Sequence, residues 1–316
     1  MTLESGHIAA IVFSRYPNNN NIAITNKSVN MTLSLTSKQV ITKLKQNVQR
    51  VDNRVNNYIK DANENNIHDI RTAIRRIDPS FRVLPKKIRK KSEISKYQAR
   101  CKKLFKINSQ IRDYDIICER LEKYSSDPTY PNLTDLLKRK RKTKLIAARK
   151  IALSLTHAPV SHITENDIST KKSEIRFDKL VKKFRERIEF NLPIVLTNVT
   201  KIKELHEMRK DCKKLRYLLE LLPYQNNHHH NTNNDSKQVQ KMITELEDIQ
   251  GMIGSIHDSD TTISYLRRVR QHSAVRHILD KEILEKNKKY EEFVQFCKRS
   301  LSNSRNNFLN RLSILA

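Results

Sequence analysis

The 316-residue chain carries 62 lysines and arginines against 34 aspartates and glutamates, a formal net charge of +28, with three glycines and no tryptophan. Such a shortage of glycine argues against a fold built on tight β-turns, and the charge is a self-repulsion that a polyanion (nucleic acid, an anionic membrane surface or an acidic polymer) would relieve. Four scattered cysteines, Cys101, Cys118, Cys212 and Cys297, give neither metal-ligand spacing nor a disulfide framework. The early apolar run at residues 8–13 is too short to span a membrane. The expectation is a soluble cytoplasmic protein with enough chain for a sizeable core.

Residues 1–35 are rich in Asn, Ser and Thr and read as a flexible tail. Helical periodicity starts at Thr36, with Ser37 as the expected cap and Val40, Leu44, Val48, Val51, Val55 and Ile59 recurring every three or four positions. The pattern predicts further helices over 64–84, halted by Pro85, then over 92–108, over 111–124 and, very basic, over 132–157. The Ser/Thr-rich stretch 158–173 is the expected linker between a first half, 36–157, and a second, 174–316. In the second half helices are expected over 174–192, 201–222, 235–253, 256–270 and from about 274. A low-complexity, disordered loop near 225–235 contains His228, His229 and His230. Consecutive histidines on such a loop do not make a preformed metal site, and no metal or other cofactor is expected.

The chain repeats itself. Ile67-His68-Asp69-Ile70-Arg71, followed by Arg75-Arg76-Ile77 and Leu84-Pro85, recurs 138 positions later as Leu205-His206-Glu207-Met208-Arg209, then Lys213-Lys214-Leu215 and Leu222-Pro223. A second pair follows in the same order: Ile111-Arg112-Asp113-Tyr114-Asp115 and Ile256-His257-Asp258-Ser259-Asp260. Two motifs recurring in order point to an internal duplication. On a helix, Ile67, Ile70, Ile74, Ile77, Phe81 and Leu84 fall on one side, and His68, Arg71, Arg75 and Arg82 form a stripe beside them. The second copy does the same with Leu205, Met208, Cys212, Leu215, Leu219 and Leu222 against His206, Arg209, Lys213 and Arg216. Successive cations on such a stripe stand about 5–6 Å apart. A basic stripe on one helix is usually a solvated face; one headed twice by the same histidine suggests binding. Asp113 and Asp258, read as metal ligands or as acids that orient neighbouring arginines, fit the second role better in so basic a chain.

These residues resemble the CHAD (conserved histidine α-helical domain) family. The resemblance rests on His68, Arg71, Arg75 and Arg76; Arg112, Asp113 and Asp115; His206, Arg209, Lys213, Lys214, Arg216 and Tyr217; and His257, Asp258 and Asp260, and it covers about residues 36–310. It implies an all-α fold of two pseudo-symmetric helical bundles with a basic groove between or along them. It also implies non-catalytic binding of inorganic polyphosphate, and association with polyphosphate granules. The sequence departs from the pattern at Asp78-Pro79, where an acid and a mid-helix proline are expected to weaken the first stripe and kink its helix.

The expected polyphosphate ligands are therefore His68, Arg71, Arg75, Arg76, Arg82, Arg112, His206, Arg209, Lys213, Lys214, Arg216 and His257, with no catalytic residue. Arginine suits phosphate through its bidentate fork and lysine as a point charge. Protonation of His68 and His206 is expected to tighten binding at mildly acidic pH. Nonspecific nucleic-acid binding is the alternative, through the runs 86–91 and 138–144, although no aromatic residue in them would stack on bases. A metal-dependent phosphohydrolase built on His68-Asp69, His206 and His257-Asp258 is a third reading, opposed by the cations that follow each histidine.

Overall fold

The computed structural model describes residues 35–155, 163–222, 234–269 and 275–302, together with Phe308 and Leu312. The expected tail and most of the His-rich loop lie outside these residues. All regular elements among the described residues are helical: α1 (Ser37–Lys60), α2 (Glu64–Val83), the short α3 (Lys86–Arg89), α4 (Ser92–Leu121), α5 (Tyr130–Leu153), α6 (Thr170–Thr197), α7 (Ile202–Leu219), α8 (Asn234–Arg268) and α9 (Arg276–Ser302), with single 3-10 turns at Glu122–Tyr124 and Glu165–Asp167. None of the described helices is long and apolar enough to cross a membrane.

Local chemistry sets the starts. Thr36, one residue before the expected cap, closes a capping box: its hydroxyl accepts from the Gln39 amide and the Gln39 side chain accepts from the Thr36 amide. The Asn63 side chain caps α2 and that of Ser169 caps α6. Pro79 does not end α2, which continues to Val83. Beside it the Asn47 amide donates to the Arg76 carbonyl (3.3 Å) and the Ser80 hydroxyl (2.9 Å), holding α1 against the part of α2 that the proline deprives of a donor.

Two expected breaks are absent. Helices predicted over 92–108 and 111–124 are one helix, α4, and those over 235–253 and 256–270 are one helix, α8. At the first junction neither Ser109 nor Gln110 is a helix breaker, and the Ser109 hydroxyl bonds back to the Phe105 carbonyl (2.8 Å) within the turn. The buried positions Leu104, Asn108, Ile111 and Asp115 run through it as one stripe. At the second, Gly254 is buried inside α8, so packing overrides its weak helix propensity.

Successive helices pair as hairpins: α1 with α2, α4 with α5, α6 with α7 and α8 with α9. The helices that carry the motifs then close a cycle, α2 on α4, α4 on α8, α8 on α7 and α7 back on α2. The apolar seam read from the sequence holds α7 in place, since Leu205, Met208, Cys212, Leu215 and Leu219 are all buried. Each leucine so buried contributes about 1.5–3 kcal/mol. One large core joins residues from Leu35 to Leu312, and a smaller one joins Ile117, Leu121, Leu133 and Leu137 to Ile263, Leu266, Ile278 and Leu279. Both draw on the two sides of the 158–173 stretch.

Candidate functional site

Where the cycle of α2, α4, α7 and α8 closes, two basic stripes meet. Arg71 and Arg75 from α2 and Arg209 and Lys213 from α7 lie within Coulomb reach of one another. None of the four forms an ion pair with a carboxylate among the described residues. Burial holds the Arg71 guanidinium down at about 10, aided by Arg75, and still charged near neutral pH. Lys213 is pulled from the usual 10.5 to about 6, by burial first and then by Arg209, Arg75 and Arg71. Free of ligand, it is largely neutral at pH 7 and above.

Aromatic and backbone groups hold these charges together. Arg71 and Arg75 both stack on Phe105 of α4, their guanidinium carbons 5.4 and 5.3 Å from the ring centre, so one negative π-face serves two cations. Arg71 Nη1 also donates to the Asn108 carbonyl (2.8 Å), and the fully buried Asn108 side chain accepts from the Tyr58 hydroxyl (2.9 Å). On the other side Arg209 lies along α8 at Gly254, where a methyl group would stand 3.5 Å from Nη2, an ordinary contact. Its buried Nε has no hydrogen-bond partner among the described residues.

Asp113 and Asp258 are the acids of this cluster. Burial raises both carboxyls, while Arg71 and Arg209 act in the opposite sense on Asp113, and Arg209 and Arg112 on Asp258. Two carboxylates do not neutralise the surrounding arginines and lysine. Asp115, the other acid of the first pair, points elsewhere and binds Arg141 of α5 (2.5 Å), so one residue of the 138–144 run is a structural strut. Lys138, Arg139, Lys140 and Lys142 of that run are exposed, as are Lys86, Lys87, Lys90 and Lys91 of the other.

The histidines flank the cluster in different ways. His68 is exposed and pairs only with the Thr72 hydroxyl (3.4 Å). His206 Nε2 and His257 Nδ1 share a hydrogen bond (3.0 Å) with their rings edge to face, and Asp260 stands 4.0 Å from His206. All three are pushed below the usual histidine value: His68 by burial and then Arg75, His206 by burial against the pull of Asp260, and His257, to about 3, by burial and then Arg209. The expected gain of charge on His68 and His206 at mildly acidic pH thus moves to more acidic pH in the free protein. Lys213 is the group that titrates in that window.

Of the twelve expected ligands, His68, Arg71, Arg75, Arg112, His206, Arg209, Lys213 and His257 are brought together, with Arg112 on the rim 3.6 and 3.5 Å from Glu64 and Glu119. The other four are spent on carboxylates: Arg76 on Glu220 (3.2 Å), Arg82 on Asp78 (2.5 Å), Lys214 on Asp211 (3.1 Å), and Arg216 on Glu247 (2.5 Å) and Glu220 (3.7 Å). Sequence reading missed Phe105 and Asn108. Their signal was present, since Phe105, Asn108 and Arg112 follow at i, i+3 and i+7, but the assumed break at Ser109 hid their common face. Among the described residues no group of three or more His, Cys, Asp or Glu side chains is placed to hold a metal ion.

Fold and site together define an all-helical protein whose paired helices surround a cluster of uncompensated cations. The sequence matches the CHAD domain over residues 42–267, and the chain belongs to that family. Solved structures with a similar fold include the CHAD domain from the plant Ricinus communis, at 12% identity and a TM-score of 0.54 over 90% of this chain and 95% of that one. PptA from Streptomyces chartreusis is similar at 12% identity and a TM-score of 0.51, over 83% of this chain and 97% of that one. A comparison with curated protein sequences returns no match.

Proposed function

We propose that this chain binds inorganic polyphosphate without turning it over, seating the phosphates between α2 and α7. The observation that carries the proposal is the unpaired set Arg71, Arg75, Arg209 and Lys213, drawn from two helices and left without ion-paired acids in a protein that pairs most of its other buried cations. Such a set is a cost to the free protein and is relieved by a ligand with closely spaced negative charges. A phosphate chain presents those charges and no bases to be read. Family membership supports the reading, since the resemblance to CHAD proteins implies polyphosphate as the ligand. The cations around each histidine oppose a divalent metal there and support binding over catalysis.

The exposed lysines and arginines of α5 are the observation that favours nonspecific nucleic-acid binding as the second reading. A competition separates the two. Labelled long-chain polyphosphate, bound at physiological salt, is challenged with duplex DNA, RNA and heparin at equal charge. The proposal expects polyphosphate to win by at least tenfold, roughly 1.4 kcal/mol. Equal competition by nucleic acid, or shortening of the polyphosphate on incubation with Mg²⁺ or Mn²⁺, would overturn it.

A further inference from the structure

The two stripes differ in a way that bounds the site. On α7 the stripe reads His206, Arg209, Lys213, Arg216 and Glu220 at i, i+3, i+7, i+10 and i+14. At the same spacing α2 reads His68, Arg71, Arg75, Asp78 and Arg82. The first three positions match in kind. At the last two the charges are exchanged: acid then base on α2, base then acid on α7.

The structure pairs off these exchanged residues. Arg82 pairs with Asp78 (2.5 Å) and Arg216 with Glu220 (3.7 Å), each one turn apart on its own helix. Glu220 also reaches across to Arg76 of α2 (3.2 Å), and Glu247 of α8 takes the other side of Arg216 (2.5 Å). The Tyr217 ring is stacked by both Arg76 and Arg216, at 6.0 and 4.6 Å. The helices run the same way through this contact, since Arg75 faces Lys213 and, next along, Arg76 faces Tyr217 and Glu220. One turn toward the histidines no such pairing exists among the described residues. The uncompensated part of each stripe therefore covers i to i+7, about 10 Å of helix.

Resting on the proposed function, we infer that Glu220, Asp78 and Glu247 form an end stop for the anion. A phosphate chain running along α2 and α7 toward their C-termini meets three carboxylates just past Arg75 and Lys213. It leaves the surface there, so the number of phosphates seated is fixed by the protein and not by chain length. Ordinary helix-surface ion pairs would also tie α7 to α2, but would not set a footprint.

The number of phosphates engaged can be counted from how steeply binding falls with salt, because each contact releases counterions. Linear phosphates from three units to long chains are bound to the full-length protein and to the variants Glu220→Gln and Glu220→Gln with Asp78→Asn. For the unaltered protein the salt slope is expected to rise with length and then level off. In the double variant the freed Arg76 and Arg82 extend the track, while Arg216 keeps Glu247. The slope for long chains steepens by at least one contact and their affinity rises about tenfold, while the triphosphate changes less than twofold. Glu247→Gln, on a more exposed acid, is expected to give a smaller change of the same sign and serves if the double variant does not fold. Glu186→Gln, at an exposed position of α6 outside both stripes, adds the same unit of charge and is expected to leave the slope unchanged.

A slope that keeps rising with length in the unaltered protein, or is identical in folded variants, would overturn the end stop while leaving polyphosphate binding intact. Absence of binding to any chain, the triphosphate included, would overturn the proposed function and the end stop with it.

Discussion

Two clusters of charge among the described residues are built on opposite plans. At the junction of α4 and α9 the fully buried Glu282 accepts from Arg120 (2.5 Å) and Lys123 (2.7 Å), and Glu285 accepts from Arg120 (3.2 Å), Lys123 (2.5 Å) and Lys289 (2.7 Å). Burial there opposes the charges, but the acids overcome it and hold Arg120 and Lys123 above their ordinary values, while Glu285 falls to about 2. Between α2 and α7, Arg71, Arg75, Arg209 and Lys213 have no such partners, and burial with like charge pushes Arg71, Arg209 and Lys213 downward. A chain that ion-pairs three cations with two acids at one place leaves Arg71, Arg75, Arg209 and Lys213 without an ion-paired acid among the described residues at another. The first cluster pairs its charges, and the second accepts a cost to stability that an anion seated there as proposed would remove.

Crossed substitutions give the strongest way to break this contrast. Arg209→Ala with Lys213→Ala is expected to lower polyphosphate affinity by at least a hundredfold at low salt, from charge-assisted contacts of about 1.5–3 kcal/mol each. Its melting temperature should stay level or rise, because repulsion is relieved. A large fall in melting temperature without loss of binding would erase the distinction. Glu282→Ala should do the reverse. Removing the acid of a buried pair costs about 3 kcal/mol of stability in denaturant unfolding, and affinity in the folded protein should stay within about twofold.

Acidity sharpens the comparison with the smallest expected effect. Lys213 has a folded value of about 6 against the usual 10.5, so the folded state binds fewer protons than the unfolded one between those limits. Its share of stability therefore rises with pH from about 6 to 10.5, and at lower pH the full penalty remains. Seating a phosphate against Lys213 restores its charge. Titration calorimetry near pH 8 in buffers of different ionisation enthalpy should show uptake of up to one proton per site, and affinity should increase as pH falls toward 6. In Lys213→Met both the proton uptake and the stability slope should diminish. Unchanged uptake would assign the proton to another group, with the histidines the next to test.

Much of the fold was legible from periodicity. The seams of α2 and α7 and the stop before Pro85 follow from local repetition at 3.6 residues per turn. The cap of α1 was read to within one residue, because Thr36 and Ser37 offer similar hydroxyls and only the backbone angles and Gln39 select Thr36. The breaks in α4 and α8 were misread, since Ser109 and Gly254 interrupt the apolar pattern locally, yet Asn108 and Ile111 on either side of the first, and Gly254 itself, are buried by packing. The candidate site was half legible. Its eight clustered residues belong to the repeated motifs, but nothing local distinguishes Arg75 from Arg76, while Lys214 has an acid three positions earlier, Asp211, that Lys213 lacks.

The sequence alone determined the helical class, the phase of each stripe against its seam and the order of the motifs, because these depend on residues one turn apart. Only the tertiary structure decided which cations stay free. The partners that remove cations from the set include Glu220 for Arg76 and Glu247 for Arg216, and the ring shared by Arg71 and Arg75 is Phe105. These lie on other helices or beyond the helix end, so that part of the compensation is settled when the helices pack, whereas Arg82 with Asp78 and Lys214 with Asp211 pair within a single helix.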